Sequence, residues 1–167
     1  SNVFITVSAE EAGREAEKQE KAILQNKIIS PLQGLPIAIK DNIAVKGLTI
    51  HAGSKAVNQK CDEDAEVVKR LRRSGMIILG TTNMHELGNG VTGENRYFGT
   101  PINPWGKDLI PGGSSSGSAV AAAAGLSPLA LGSDTAGSVR IPAALCGVIG
   151  LKPGKEVLPL NGVCLLY

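Results

Sequence analysis

Aromatic side chains are scarce, at 3% of 167 residues, so a core must be assembled from Ile, Val, Leu and Ala. Histidine is nearly absent: His51 and His85 are the only two, and both sit in polar stretches, which leaves a histidine-based mechanism little to draw on. The three cysteines, Cys61, Cys146 and Cys164, are odd in number and far apart, giving neither a metal-type spacing nor a disulfide framework. Cys146 lies in an apolar run and reads as a small buried hydrophobe; a cytoplasmic, reducing location is expected. No run approaches the ~20 apolar residues that span a bilayer, and no signal peptide is visible, so no membrane partner is expected. An excess of one charge is also missing. The 17 basic and 15 acidic side chains leave a net +2, and without a basic stripe interleaved with aromatics direct nucleic-acid binding is not expected.

Glycine is what the chain has in quantity, at 21 residues. Two small-residue loops dominate its second half: Pro111-Gly112-Gly113-Ser114-Ser115-Ser116-Gly117-Ser118 and Gly132-Ser133-Asp134-Thr135-Ala136-Gly137-Ser138. Flexible linkers share this composition, but linkers do not run straight into Ala119–Ala124, a strong helix former with a glycine stop at Gly125. Nor do they follow Leu129-Ala130-Leu131, which reads as a short buried strand. Loops held between such elements fix the directions of their N–H groups, as an anionic transition state requires.

Elsewhere the pattern alternates strands and helices. Asn2–Val7 is a β-type run. Ser8 and Glu11 have capping-box spacing and open a charged surface helix to about Gln25. Leu35–Ile39 reads as a strand buried on both faces, as in a parallel sheet, and ends on Lys40. Taken alone, Lys40 reads first as a snorkelling surface residue and second as a buried base whose pKa desolvation lowers, with Asp41 opposing that shift if its carboxylate lies close. Lys46–Lys60 is loop-like and contains His51. Asp62-Glu63-Asp64 opens a helix that Gly75 stops, and Met76–Gly80 is a second apolar strand, which suggests a βαβ unit. Thr81–Thr100 is a long connection, either disordered or part of a site; His85 within it reads as a surface or hydrogen-bonding residue. No internal repeat is present. The fold class expected is α/β, a partial mixed sheet sandwiched by helices.

Three chemistries compete for a Gly/Ser loop ahead of a helix. Phosphate binding lacks the Walker lysine and the dinucleotide glycine spacing. A serine hydrolase elbow is absent around Ser138, because Ala136 and Arg140 stand where G-x-S-x-G needs glycines. A serine–lysine system remains, with a neutral lysine as base and a second serine as proton relay. No metal or cofactor is needed for it.

The segments Gly112–Ala119, Gly132–Arg140 and Cys146–Pro153, with Leu35–Asn42, Asn83–Gly90 and Thr92–Pro104 ahead of them in order, resemble the amidase signature family. The resemblance implies Ser138 as nucleophile, Ser114 as bridging serine on a cis peptide, and Lys40 as base. Thr135, Ala136, Gly137 and Ser138 would form the oxyanion loop, with Asp134 and Arg140 as its braces. It also implies hydrolysis of a small-molecule carboxylic amide. Two alternatives stand beside that: the glutaminase subunit of a tRNA-dependent amidotransferase with partner subunits, or an inactive fragment that only binds. Ala136, Ser116 and Glu156 occupy positions where the family often has glycine. Residues 1–167 would be a single partial domain without the family's first helices and second half, and both ends read as cut.

Overall fold

A computed structural model describes residues 2–164. Strands β1 (Phe4–Val7), β2 (Pro36–Lys40), β5 (Ile77–Thr82) and β6 (Leu129–Leu131) form one sheet in the order β1-β5-β2-β6. β2 runs parallel to β5 and β6 on its two sides, and β1 is antiparallel to β5. The sheet is therefore mixed, and β2, carrying Lys40, lies in its interior. The short strands β3 (Thr49–Ile50) and β4 (Gln59–Lys60) pair separately, so the 46–60 stretch is more regular than expected.

Alternation along β2 decides what each face meets. Ile37 and Ile39 point to one side, where they pack with Ile78, Met76 and with Val67 and Val68 of α2 (Glu66–Arg73). Ala38 points to the other, against Ala119, Val120 and Ala121 of α3 (Ser116–Ala123). A small residue at Ala38 lets α3 come close. Lys40 shares the parity of Ala38 and so faces the α3 side. Helix α4 (Arg140–Cys146) packs on α3, while α1 (Ala9–Leu24) packs on β5. Helices thus cover both faces, as expected.

Several local expectations change. The capping box at Ser8 does not form: the Ser8 N–H continues the β1–β5 pairing by donating to the Leu79 carbonyl at 2.8 Å, and Glu11 pairs with Arg14 at 2.6 Å instead. Helix α2 starts at Glu66, later than the acidic run. Asp64 is drawn away from a capping role by the Lys46 N–H at 2.8 Å and the Arg72 guanidinium at 3.0 Å. Strand β5 runs on through Thr81 and Thr82, where a Cβ at Gly80 would overlap the Thr6 carbonyl. Strand β6 is an edge, with Leu129 42% exposed, and not a buried strand.

The long connections are ordered by three buried asparagines. Asn83 donates to the carbonyls of Asn2 and Gly99, Asn95 to those of Gly53 and Met84, and Asn103 to those of Ile110 and Leu145. Each also accepts a backbone N–H nearby, at Met84, Phe98 and Trp105 respectively. A side chain offering both donors and an acceptor can replace a secondary-structure ladder for a buried loop. The indole N–H of Trp105 donates to the Cys146 carbonyl at 2.8 Å, closing the end of α4.

Candidate active site

The register of β6 on β2 builds the site. Leu131 lies opposite Ile39, so the next residues, Gly132 and Ser133, arrive beside Lys40 at the carboxyl ends of parallel strands, where open α/β sheets place their ligands. Lys40 is fully buried. Its Nζ lies 2.7 Å from Ser114 Oγ and 2.9 Å from Ser133 Oγ, and Asn42 Nδ2 donates to that same Ser133 oxygen at 3.0 Å. The surface reading of Lys40 is thereby overturned; the C-terminal end of an interior strand leaves the side chain no path to water. Burial lowers its pKa to about 7, against an opposing pull from the Asp134 carboxylate. The opposing charge is not that of Asp41, whose carboxylate turns away to accept the N–H groups of His51 and Gly53 at 3.1 and 3.3 Å. Burial drives the Asp41 carboxyl upward from its ordinary range.

Ser114 follows a cis peptide bond from Gly113. Its carbonyl accepts the His85 N–H at 3.1 Å, so half-buried His85 contributes its backbone to the site's frame. His51 lies in the turn after β3, with Nδ1 3.7 Å from Asp41. Cys146 is fully buried, its thiol pushed up to about 11 by desolvation.

The second loop is shaped by one carboxylate. Asp134 accepts the N–H groups of Gly137, Val139 and Arg140 at 2.8, 3.1 and 3.3 Å, and the Arg140 guanidinium at 2.9 and 3.0 Å. Burial works to raise the Asp134 pKa, but these donors outweigh it and hold the group well below the usual carboxylate range. Among the described residues the N–H groups of Thr135, Ala136 and Ser138 donate to no protein acceptor, whereas that of Gly137 is already committed to Asp134. The free donors on this loop are therefore Thr135, Ala136 and Ser138, and Gly137 serves the turn. Ala136 keeps a negative φ, so its methyl is tolerated; Glu156 does not, at φ 72°, which is the left-handed region that favours glycine.

Ser114, Ser133, Thr135 and Ser138 together line a small cleft of about 20 Å³. The Ser115 N–H donates to the Ser138 carbonyl at 3.0 Å, tying the two loops together, while the Ser114 and Ser138 hydroxyls share no hydrogen bond. A cavity of about 500 Å³, lined in part by Met84, His85 and Glu86, adjoins the cleft; Asn42, Leu87 and Cys164 line both. Ser133 and Asn42 were not anticipated from sequence. The signal was present: a strand ending at Leu131 in parallel with β2 must deliver the following residues beside Lys40. No group of three or more His, Cys, Asp or Glu among the described residues is placed to hold a metal, nor is any helix long and apolar enough to cross a membrane.

A buried lysine thus contacts two serines at the carboxyl ends of the parallel strands, beside a loop with free N–H groups. The chain belongs to the amidase family, whose model, described as Amidase, matches residues 1–166. A relative from Methanococcus maripaludis (strain C7), named as the A-subunit of glutamyl-tRNA(Gln) amidotransferase, is 49% identical over 165 residues, covering 98% of this chain and 38% of that protein. The crystal structure of an amidase superposes with a TM-score of 0.93 at 40% identity, over 98% of this chain and 38% of its own. Native peptide amidase from Stenotrophomonas maltophilia gives a TM-score of 0.91 at 36% identity, over 97% of this chain and 34% of its own. The chain thus spans well under half the length of the proteins it matches.

Proposed function

We propose that this chain carries the reaction centre of an amide C–N hydrolase. Neutral Lys40 takes a proton from Ser114, which takes one from Ser138. The Ser138 oxygen attacks the amide carbon, and the N–H groups of Thr135, Ala136 and Ser138 receive the oxyanion. The relay returns a proton to the nitrogen, the C–N bond breaks, and ammonia or an amine leaves. Water then cleaves the acyl ester, giving the carboxylic acid and restoring Ser138. The Ser138 hydroxyl must close on Ser114 as substrate binds, a tightening common between free and occupied sites.

The observation that carries this reading is the 2.7 Å contact between Ser114 and a lysine buried enough to be half neutral near pH 7. A fluorophosphonate probe tests it. Covalent labelling of Ser138 that disappears in Lys40→Ala supports the hydrolase; a folded chain that never labels is a binding fragment. A second reading has its own support, since relatives near 49% identity carry the amidotransferase name. In that role the ammonia comes from glutamine and passes to partner subunits, and ammonia release would rise when such subunits are added.

A further inference from the structure

We infer that the cavity beside the cleft is a subsite for a carboxamide bearing a cationic group, with Glu86 as the residue that selects it. The inference rests on the hydrolase reading for the identity of the ligand as an amide, and on the cavity walls for its charge. Glu86 Oε1 accepts the Ser54 hydroxyl at 2.7 Å. That bond orients the carboxylate and leaves its other oxygen without a protein donor. Among the described residues Glu86 takes part in no ion pair, and neither Lys nor Arg lines the cavity or the cleft. The Lys40 amine is committed to Ser114 and Ser133.

A second observation points the same way. Asn42 lines both spaces and is only 6% exposed, yet its Oδ1 has no hydrogen-bond partner, both of its Nδ2 protons going to Ser133 and Cys164. A buried acceptor without a donor is costly unless a ligand supplies one. Among the described residues the walls thus present the Glu86 and Asn42 oxygens and neither Lys nor Arg, beside the His85 imidazole and the Asn89 amide, with Ala52, Met84 and Leu87 supplying apolar contact between them. An amide with N–H groups near Asn42 and a protonated amine on a short aliphatic chain satisfies all of these; an anionic ligand would face Glu86 unpaired.

Titration calorimetry on this chain tests the proposal with three probes of equal length: an amino-terminated alkanamide, its methyl-terminated isostere and its carboxylate-terminated counterpart. The amino-terminated amide should bind about tenfold tighter than the methyl-terminated one, as for a hydrogen bond to a charged group, with the carboxylate-terminated amide weakest. Glu86→Gln should abolish the preference while circular dichroism and the affinity for the neutral amide stay unchanged. Equal binding of the cationic and neutral probes, no binding of the cationic probe, or a preference that survives Glu86→Gln would each overturn it. Charge-selective binding without labelling of Ser138 would sink the hydrolase and leave the subsite standing; labelling without charge selectivity would do the reverse.

Discussion

The two glycine–serine loops look alike as sequence and differ as structure. Residues 111–118 are buried throughout, whereas Thr135 and Ala136 of the 132–138 loop are exposed. In the first, glycine is required by close approach: a Cβ at Gly113 would stand 2.7 Å from the Gly90 carbonyl, and one at Gly117 2.6 Å from the Asn83 backbone. In the second, a side-chain carboxylate does the shaping, and glycine is dispensable at Ala136. One loop is a sealed holder for the Lys40–Ser114 contact. The other is an open rim that leaves the N–H groups of Thr135, Ala136 and Ser138 without a protein acceptor among the described residues.

The contrast can be broken deliberately. Gly117→Ala should be the most damaging change, since the methyl meets backbone that cannot yield. A loss of about 3 kcal/mol or more is expected, seen as a fall in the thermal midpoint of roughly 6–12 °C for a chain of this size. Asp134→Asn should cost about 2 kcal/mol through lost backbone and guanidinium bonds, and should slow Ser138 labelling more than it unfolds the chain, since the free donors would no longer be aimed. A labelling rate unchanged in that variant would show that Asp134 has no part in shaping the rim.

Acid should act through Lys40, which the sealed loop holds against Ser114. Because Lys40 has a folded pKa near 7 against an ordinary 10.5, it is protonated below pH 7, and labelling should fall about tenfold per pH unit there. Between pH 7 and about 10 the unfolded chain holds the extra proton, so stability rises with pH across that window. Lys40→Met should flatten this rise, as read by urea unfolding at several pH values. Smallest of all, Ala136→Gly should shift stability by less than about 1 kcal/mol and leave labelling intact.

Much of this was legible in the sequence, for physical reasons that differ by element. The unbroken apolar runs before Lys40 and at Met76–Gly80 announce interior parallel strands, and Gly125 marks the end of α3 with its left-handed φ of 69°. Lys40 could not be placed from its own neighbours, because a lysine ending a strand is buried or exposed according to where that strand lies in the sheet. The three staple asparagines left no periodic trace, since a hydrogen bond from Asn83 to Gly99 depends on loop folding and on nothing local. Ser133 was hidden for another reason: its loop already offered Ser138 as nucleophile and Thr135–Ser138 as donors, and only the register of β6 on β2 brings Ser133 to Lys40. The capping box at Ser8 misled because the strand claimed the N–H that the box would have used.

Trp105 is the sole tryptophan of the chain. Its indole is hydrogen-bonded to the last turn of α4, and a Cβ at Gly147 would sit 3.0 Å from that nitrogen. The molecule therefore carries its own fluorophore, placed where α4 ends. Its emission, excited without any added dye, reports whether the segment just beyond the rim is assembled, and each substitution above can be followed in one cuvette.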